Sequence, residues 1–249
     1  MLVLLPPSET KKPGGARRTL DLESLAYPEL AAQREQVLSA LEELSTDAAS
    51  AARVLKLGAT QLGDVDDNAR VRSAPTMPAI DRYTGVLYDA LDAASLDSGA
   101  RAWLGRNVVI HSAPLGPVGA LDRIPTYRLG ATTSLPGIPP LRRLWSAAVS
   151  DAFANAGEGF ALDLRSEAYA ALGPVPASVP SIYVRVVSEG QGGAVRALNH
   201  FNKHAKGALV RRLAEERPRI GSLAGFLRWA DAAGLRVRGG APGELELFA

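Results

Sequence analysis

The chain has 249 residues and a mass of 26.2 kDa, enough to bury a sizeable core as one large domain or two small ones. Hydrophobic residues make up 47% and charged residues 22%, the balance of a globular chain and not of a disordered one. There is no Cys, which excludes disulfides, Cys-ligated zinc or iron–sulfur centres and thiol peroxidase chemistry, and no run approaches the ~20 apolar residues of a membrane span.

The net charge of +2 hides an asymmetry. From Thr19 to Ser50 seven acids face Arg34 alone, a balance of −6; from Arg196 to Arg238 ten basic residues face Glu215, Glu216 and Asp231, a balance of +7. That favours a polyanionic partner on the C-terminal part. The N-terminal run Met1 to Leu5 lacks a basic n-region and meets Pro6-Pro7 at once, so it reads as an opening strand and not as a signal peptide. The expected location is cytoplasmic.

Taken in order, Leu2 to Leu5 is a short strand, closed by a loop from Pro6 to Gly15 that carries Ser8, Glu9 and Lys11. Pro28 opens an amphipathic helix over 29–44. Thr46 is expected to cap a helix running to about Leu57, and a second short helix is expected over 60–69. The two, joined at Leu57-Gly58-Ala59, have the form of a helix-hairpin-helix. Asp64, Asp66 and Asp67 oppose a phosphate there, and the same acids lack the Gly and Glu of an EF-hand. Residues 79–92 follow, with Arg82-Tyr83 placed before Gly85, where a backbone can approach closely. A helix is expected over 95–104 and a buried strand over 107–113, the latter from its β-branched run. The strand leads into a long Gly/Pro loop, 114–130, a frequent place for a site. Gly116-Pro117-Val118-Gly119 reads as a turn. Beyond it the pattern predicts a helix over 144–156, a strand over 160–164, a helix from Ser166, a strand over 181–187 and a turn at 189–193. The last elements are helices over 198–213 and 222–233 and strands near 235–237 and 244–248. This succession predicts a single α+β (mixed α/β) domain, 1–249, with a mixed sheet flanked by helices.

The helix at 198–213 carries the densest cluster of basic and amide groups. At 100° per residue Leu198, Phe201, Ala205, Ala208, Leu209 and Leu213 form an apolar stripe. One polar strip holds Asn199, Lys203 and Lys206, the other His200, His204 and Arg211, a surface suited to an anion. Arg212 projects into the apolar sector and must snorkel out or pair with a carboxylate. His200 and His204 have the i,i+4 spacing of a metal site, but the HExxH Glu is absent and Lys203 and Lys206 oppose a dication. No nucleophile elbow surrounds Ser112, and no GxGxxG, Walker loop or catalytic carboxylate pair is present. No metal, cofactor or catalytic group is therefore assigned.

Six short blocks in order resemble the YaaA family of peroxide stress resistance proteins. They are Leu4-Leu5-Pro6-Pro7-Ser8-Glu9-Thr10-Lys11, Arg82-Tyr83-Thr84-Gly85-Val86-Leu87-Tyr88, the Ser112 to Gly130 loop with Leu121-Asp122 and Tyr127-Arg128-Leu129, Leu144-Trp145, Asp163 to Tyr169, and Asn202-Lys203-His204-Ala205-Lys206-Gly207. The resemblance implies one α+β domain with a basic cleft, DNA binding through that cleft and a helix-hairpin-helix, and a role in limiting free iron and oxidative DNA damage. The chain departs from the family's pattern at Lys203-His204, where two adjacent basic residues are common, and at Lys206, where Arg is common.

The expected anion-binding set is Ser8, Lys11, Arg82, Tyr83, Tyr127, Arg128, Asn199, Lys203, Lys206 and Arg211. In it Lys203, Lys206 and Arg211 neutralise phosphates, Lys11 and Arg128 line the same cleft, and Tyr83 and Tyr127 stack on an unpaired base. The expected partner is DNA, duplex, distorted or single-stranded. The alternative is an enzyme acting on a nucleotide or other phosphorylated small molecule, with Ser8, Glu9, Asn199 and His200 converging in the cleft. Oligomeric state is open, with a monomer the simpler expectation.

Overall fold

The opening apolar run forms β1 (Leu2–Leu5), and all four of its side chains are buried. A strand covered on both faces belongs inside a sheet, and that is where β1 lies. The computed structural model describes residues 1–157, 159–189, 195–196 and 199–248, the side chains of 188, 189, 195, 196 and 199–201 excepted. The predicted turn at 189–193 falls largely outside the described residues.

After a long loop come α1 (Ala31–Leu44), α2 (Ala48–Val54), α3 (Gly63–Ala69), β2 (Met77–Pro78), α4 (Ala79–Arg82), α5 (Val86–Leu91) and α6 (Ser98–Asn107). Then follow β3 (Val108–Ser112), β4 (Gly116–Gly119), β5 (Arg123–Ile124), α7 (Leu141–Asn155), β6 (Ala161–Asp163), α8 (Glu167–Leu172) and β7 (Ser181–Glu189). The chain continues through β8 (Val195–Arg196), α9 (Asn199–Glu216), α10 (Leu223–Ala232), β9 (Val237–Gly239) and β10 (Glu244–Phe248).

The main sheet has the order β4-β3-β1-β6-β7-β10-β9, with β8 beside β7. Neighbouring strands from β3 to β10 run parallel, while β4, β8 and β9 run antiparallel to their partners. β2 and β5 form a separate two-stranded ribbon. The fold is thus the mixed α/β class expected. From β1 the chain steps to β3 on one side, then crosses back to β6 on the other. The connections diverge at β1 and β6, and ligand sites of open α/β sheets lie at the carboxyl ends of strands where this happens.

Local chemistry moved several boundaries. Gly116-Pro117-Val118-Gly119 is the edge strand β4 and not a turn; Pro117 is tolerated because an edge strand needs fewer amide donors. The cap of α2 is Asp47, whose Oδ1 accepts from Ala49 and Ser50 amides, and not Thr46. Helix α7 begins at Leu141, directly after Pro140. Residues 79–92 are broken at Gly85, which has φ +93° and lies 3.4 Å, measured from an ideal Cβ, from the hydroxyls of Ser8 and Thr10.

The largest correction concerns α9. Leu209 and Leu213 are buried as expected, but Ala208 is exposed, and Lys206, Gly207, Val210 and Ala214 are buried instead. Leu198 and the Phe201 side chain lie outside what the structure describes. The stripe is rotated because α9 packs tightly on α5. A Cβ on Gly207 would collide with the Leu87 carbonyl oxygen, so glycine alone permits the approach. Arg212 resolves its conflict by pairing with Glu216 at 2.7 Å and donating to the Ala233 carbonyl.

Candidate functional site

Two lysines lie around the carboxyl ends of β1 and β6. Beyond β1, Lys11 is half-buried; its Nζ donates to the Ser8 and Glu9 carbonyls at 3.1 and 3.3 Å. The same amine lies 4.0 Å from the centre of the Tyr127 ring and 5.5 Å from that of Tyr83. Burial, then the Arg128 guanidinium, pushes its pKa down to about 7 against the pull of Asp64 and Glu9. Lys206 comes from α9 and is buried. Among the described residues its Nζ finds one acceptor, the Arg165 carbonyl at 3.4 Å, and the Tyr183 ring at 5.4 Å. Burial and then Arg185 lower its pKa to about 8, with Asp163 opposing.

Under Lys11 runs a chain of hydroxyls. Ser112 Oγ donates to the Tyr127 hydroxyl at 3.0 Å, and that hydroxyl bonds the Tyr83 hydroxyl at 2.7 Å. Burial drives both phenols well above their ordinary range, so they stay protonated. Both tyrosines are buried, so they form the wall behind Lys11 and offer no open ring face to a base. Ser8 Oγ caps its own loop, accepting from the Thr10 amide at 3.3 Å.

Arg128 is held from α3: Asn68 accepts from the Arg128 amide at 2.7 Å and donates to its carbonyl at 3.0 Å. Its guanidinium reaches the exposed Glu9 carboxylate at 3.2 Å and Asp64 at 3.9 Å. Asn68 of α3 thus clamps this loop, a role no sequence pattern announced. Lys203 is exposed, one turn before Lys206 on α9. The side chain of Asn199 lies outside what the structure describes, as does that of His200.

Two expected phosphate ligands are committed elsewhere. Arg82 is fully buried and donates to the carbonyls of Ile124, Pro75 and Lys12, tying the 12–13 loop to β5. Arg211 donates to the Leu91 and Asp92 carbonyls and the Ser95 hydroxyl, and pairs with Glu215 at 2.9 Å. It fastens α9 to the end of α5.

Sequence reasoning also missed the polar centre of the sheet. Arg165 is fully buried and grips Asp163 with two bonds, 2.9 and 2.7 Å. Its NH1 donates to the Gly173 carbonyl at 2.8 Å and to His111 Nδ1 at 2.9 Å. Because a guanidinium only donates, Nδ1 accepts and Nε2 carries the proton. Burial and Arg165 hold the His111 pKa well below its ordinary value. The available signal was three polar residues, His111, Asp163 and Arg165, in otherwise apolar strand segments. A hollow of about 450 Å³ lies behind Tyr83 and Tyr88; Asp81, Asp89 and Asp92 line it with Lys12 and Arg101, and the acids outnumber the cations, so it does not suit a phosphate.

These features define a mixed-sheet α/β protein whose amines gather where its parallel strands end. Comparison with known proteins places it further. A family described as peroxide stress protein YaaA matches residues 1–238, and the chain belongs to that family, which ties it to the peroxide stress response. It is 46% identical over 242 residues to a UPF0246 protein of Corynebacterium efficiens, covering 95% of this chain and 94% of that one. A UPF0246 protein of Streptomyces coelicolor is 42% identical over 219 residues, 86% and 82% of the two chains. An uncharacterized protein of Campylobacter jejuni is 30% identical over 129 residues, 51% and 52%.

Proposed function

We propose that the chain serves the peroxide stress response as a DNA-binding protein, holding backbone phosphates at the carboxyl ends of β1 and β6 and thereby limiting oxidative DNA damage and free iron. Lys206 and Lys203 are the primary contacts, with Lys11 and Arg128 along the same edge. The observation that carries this reading is Lys206: a buried ammonium with one long hydrogen bond among the described residues, one turn from an exposed lysine. Burying an ammonium is costly unless an anion answers it, and phosphate does so with several acceptor oxygens. Arg82 and Arg211 are left out of the contact set because other groups already use their donors. The acids of α3 keep that hairpin from gripping phosphate itself.

A second reading is favoured by one observation. Lys11 lies against two aromatic rings beside Arg128, a pair of cations that one small phosphorylated compound could engage together. Fluorescence anisotropy separates the two, using labelled duplex, single-stranded and mismatched DNA at low and physiological salt. The expected result is binding that weakens steeply with salt and is lost in Lys203→Ala/Lys206→Ala. Salt-insensitive binding, or none to any DNA form, would overturn the DNA reading and direct attention to nucleotides, screened by thermal stabilisation.

A further inference from the structure

We propose that Lys11 captures carbonyl compounds, condensing with the aldehyde or ketone of a small molecule whose anionic group docks on Arg128. This rests on the small-ligand use of the strand-end site and is independent of DNA binding through α9.

The geometry supplies both halves of such a site. The amine is fixed by the Ser8 and Glu9 carbonyls, and its walls are the Tyr127 and Tyr83 rings, 4.0 and 5.5 Å away. The side chain is half-buried, so it is shielded yet reachable. Beside it, the Arg128 side chain is only 17% exposed and its carbonyl and amide are clamped by Asn68, so the guanidinium is preorganised. Two carboxylates face it, Asp64 at 3.9 Å on the Nε side and Glu9, whose side chain is 82% exposed, at 3.2 Å on NH2. With its carboxylate that exposed, the Glu9 contact is the weaker hold on the guanidinium and is the one a ligand's phosphate or carboxylate displaces.

The charged groups facing Lys11 are Arg128, Arg82, Glu9 and Asp64, with the protonated phenols of Tyr83 and Tyr127 alongside. The acids favour the ammonium, but burial and the two arginines outweigh them, and the amine sheds its proton near pH 7. A neutral amine is the nucleophile that imine formation requires. In the step, the Nζ lone pair forms a bond to the carbonyl carbon and the carbonyl π pair moves to oxygen, which takes a proton. The nitrogen then loses its protons, water leaves and a C=N bond remains. No electrons are transferred overall.

The chain has five lysines, and the exposed Lys12, Lys56 and Lys203 are internal controls. The test uses the full chain with pyridoxal 5′-phosphate, an aldehyde bearing a phosphate, at pH 7, followed by borohydride reduction and peptide mass spectrometry. We expect Lys11 to be labelled at least ten-fold above each control, with a pH profile whose midpoint lies near 7. Pyridoxal, which lacks the phosphate, should label it several-fold less, and Arg128→Ala should erase that difference. Labelling spread evenly over the lysines, or concentrated on another of them, would overturn the proposal. So would equal labelling by the two aldehydes. Salt-sensitive DNA binding by the wild-type chain, with its Lys11 left unlabelled, would refute this inference alone.

Discussion

Two sets of buried or half-buried cations stand near one another in this protein and are treated in opposite ways. Arg82 and Arg165 are fully buried, and their donors meet fixed acceptors: the Ile124, Pro75 and Lys12 carbonyls for one, Asp163, His111 and Gly173 for the other. Lys11 and Lys206 are given carbonyls and ring faces but no close carboxylate at bonding distance among the described residues, and their pKa values fall. A guanidinium matched by several acceptors is part of the scaffold. An ammonium left short of anions is destabilised until a ligand supplies one. The difference separates what holds the strand ends from what the strand ends are for.

The comparison is broken most severely at Arg165. Arg165→Leu leaves Asp163 buried without its partner and should destabilise the protein by about 3–5 kcal/mol, read from urea unfolding. A loss below about 1 kcal/mol would mean the network is not structural. Gly207→Ala should cost about 1–3 kcal/mol by forcing α9 off α5. Lys206→Met should go the other way, gaining about 1 kcal/mol at pH 7, since it removes a poorly answered charge.

The pH dependence sharpens the same point. Lys206 has a pKa of about 8 in the folded chain against an ordinary 10.5, so between those values the unfolded chain binds more protons and stability rises with pH. Lys11 adds to the rise from about pH 7 upward. Unfolding measured from pH 7 to 10 should show that climb, and Lys206→Met should flatten it. The smallest effect belongs to Lys203→Ala, within about 0.5 kcal/mol of wild type, because the residue is exposed.

Much of this was legible in the sequence. The apolar runs at Leu2–Leu5 and Val108–Ser112 gave central parallel strands, and the basic helix was found where the 3.6-residue period put it. Its rotation was not legible. Period alone weighs Ala208 as apolar and Lys206 as polar, whereas the deciding fact is a backbone contact at Gly207 with a segment over a hundred residues earlier. The partners of Arg82 and Arg211 were hidden for a related reason: charge suggests an anion, but each donates to carbonyls brought to it by distant chain. The Asn68 clamp on Arg128 left no local pattern at all. Tyr83 and Tyr127, expected to stack on an unpaired base, lie beside Lys11 as a buried hydroxyl-linked pair.

The most direct measurement compares the two cations of α9, Lys206→Gln and Arg211→Gln, in DNA titrations at two salt concentrations, each variant's unfolding free energy measured beside it. Loss of the Lys206 charge should weaken binding at low salt and shallow the salt slope by about one unit, without lowering stability. Loss of Arg211 should lower stability by about 1 kcal/mol and leave binding and slope unchanged. A stable Lys206 variant that binds as wild type, or an Arg211 variant that folds but no longer binds, would contradict the division between scaffold and site.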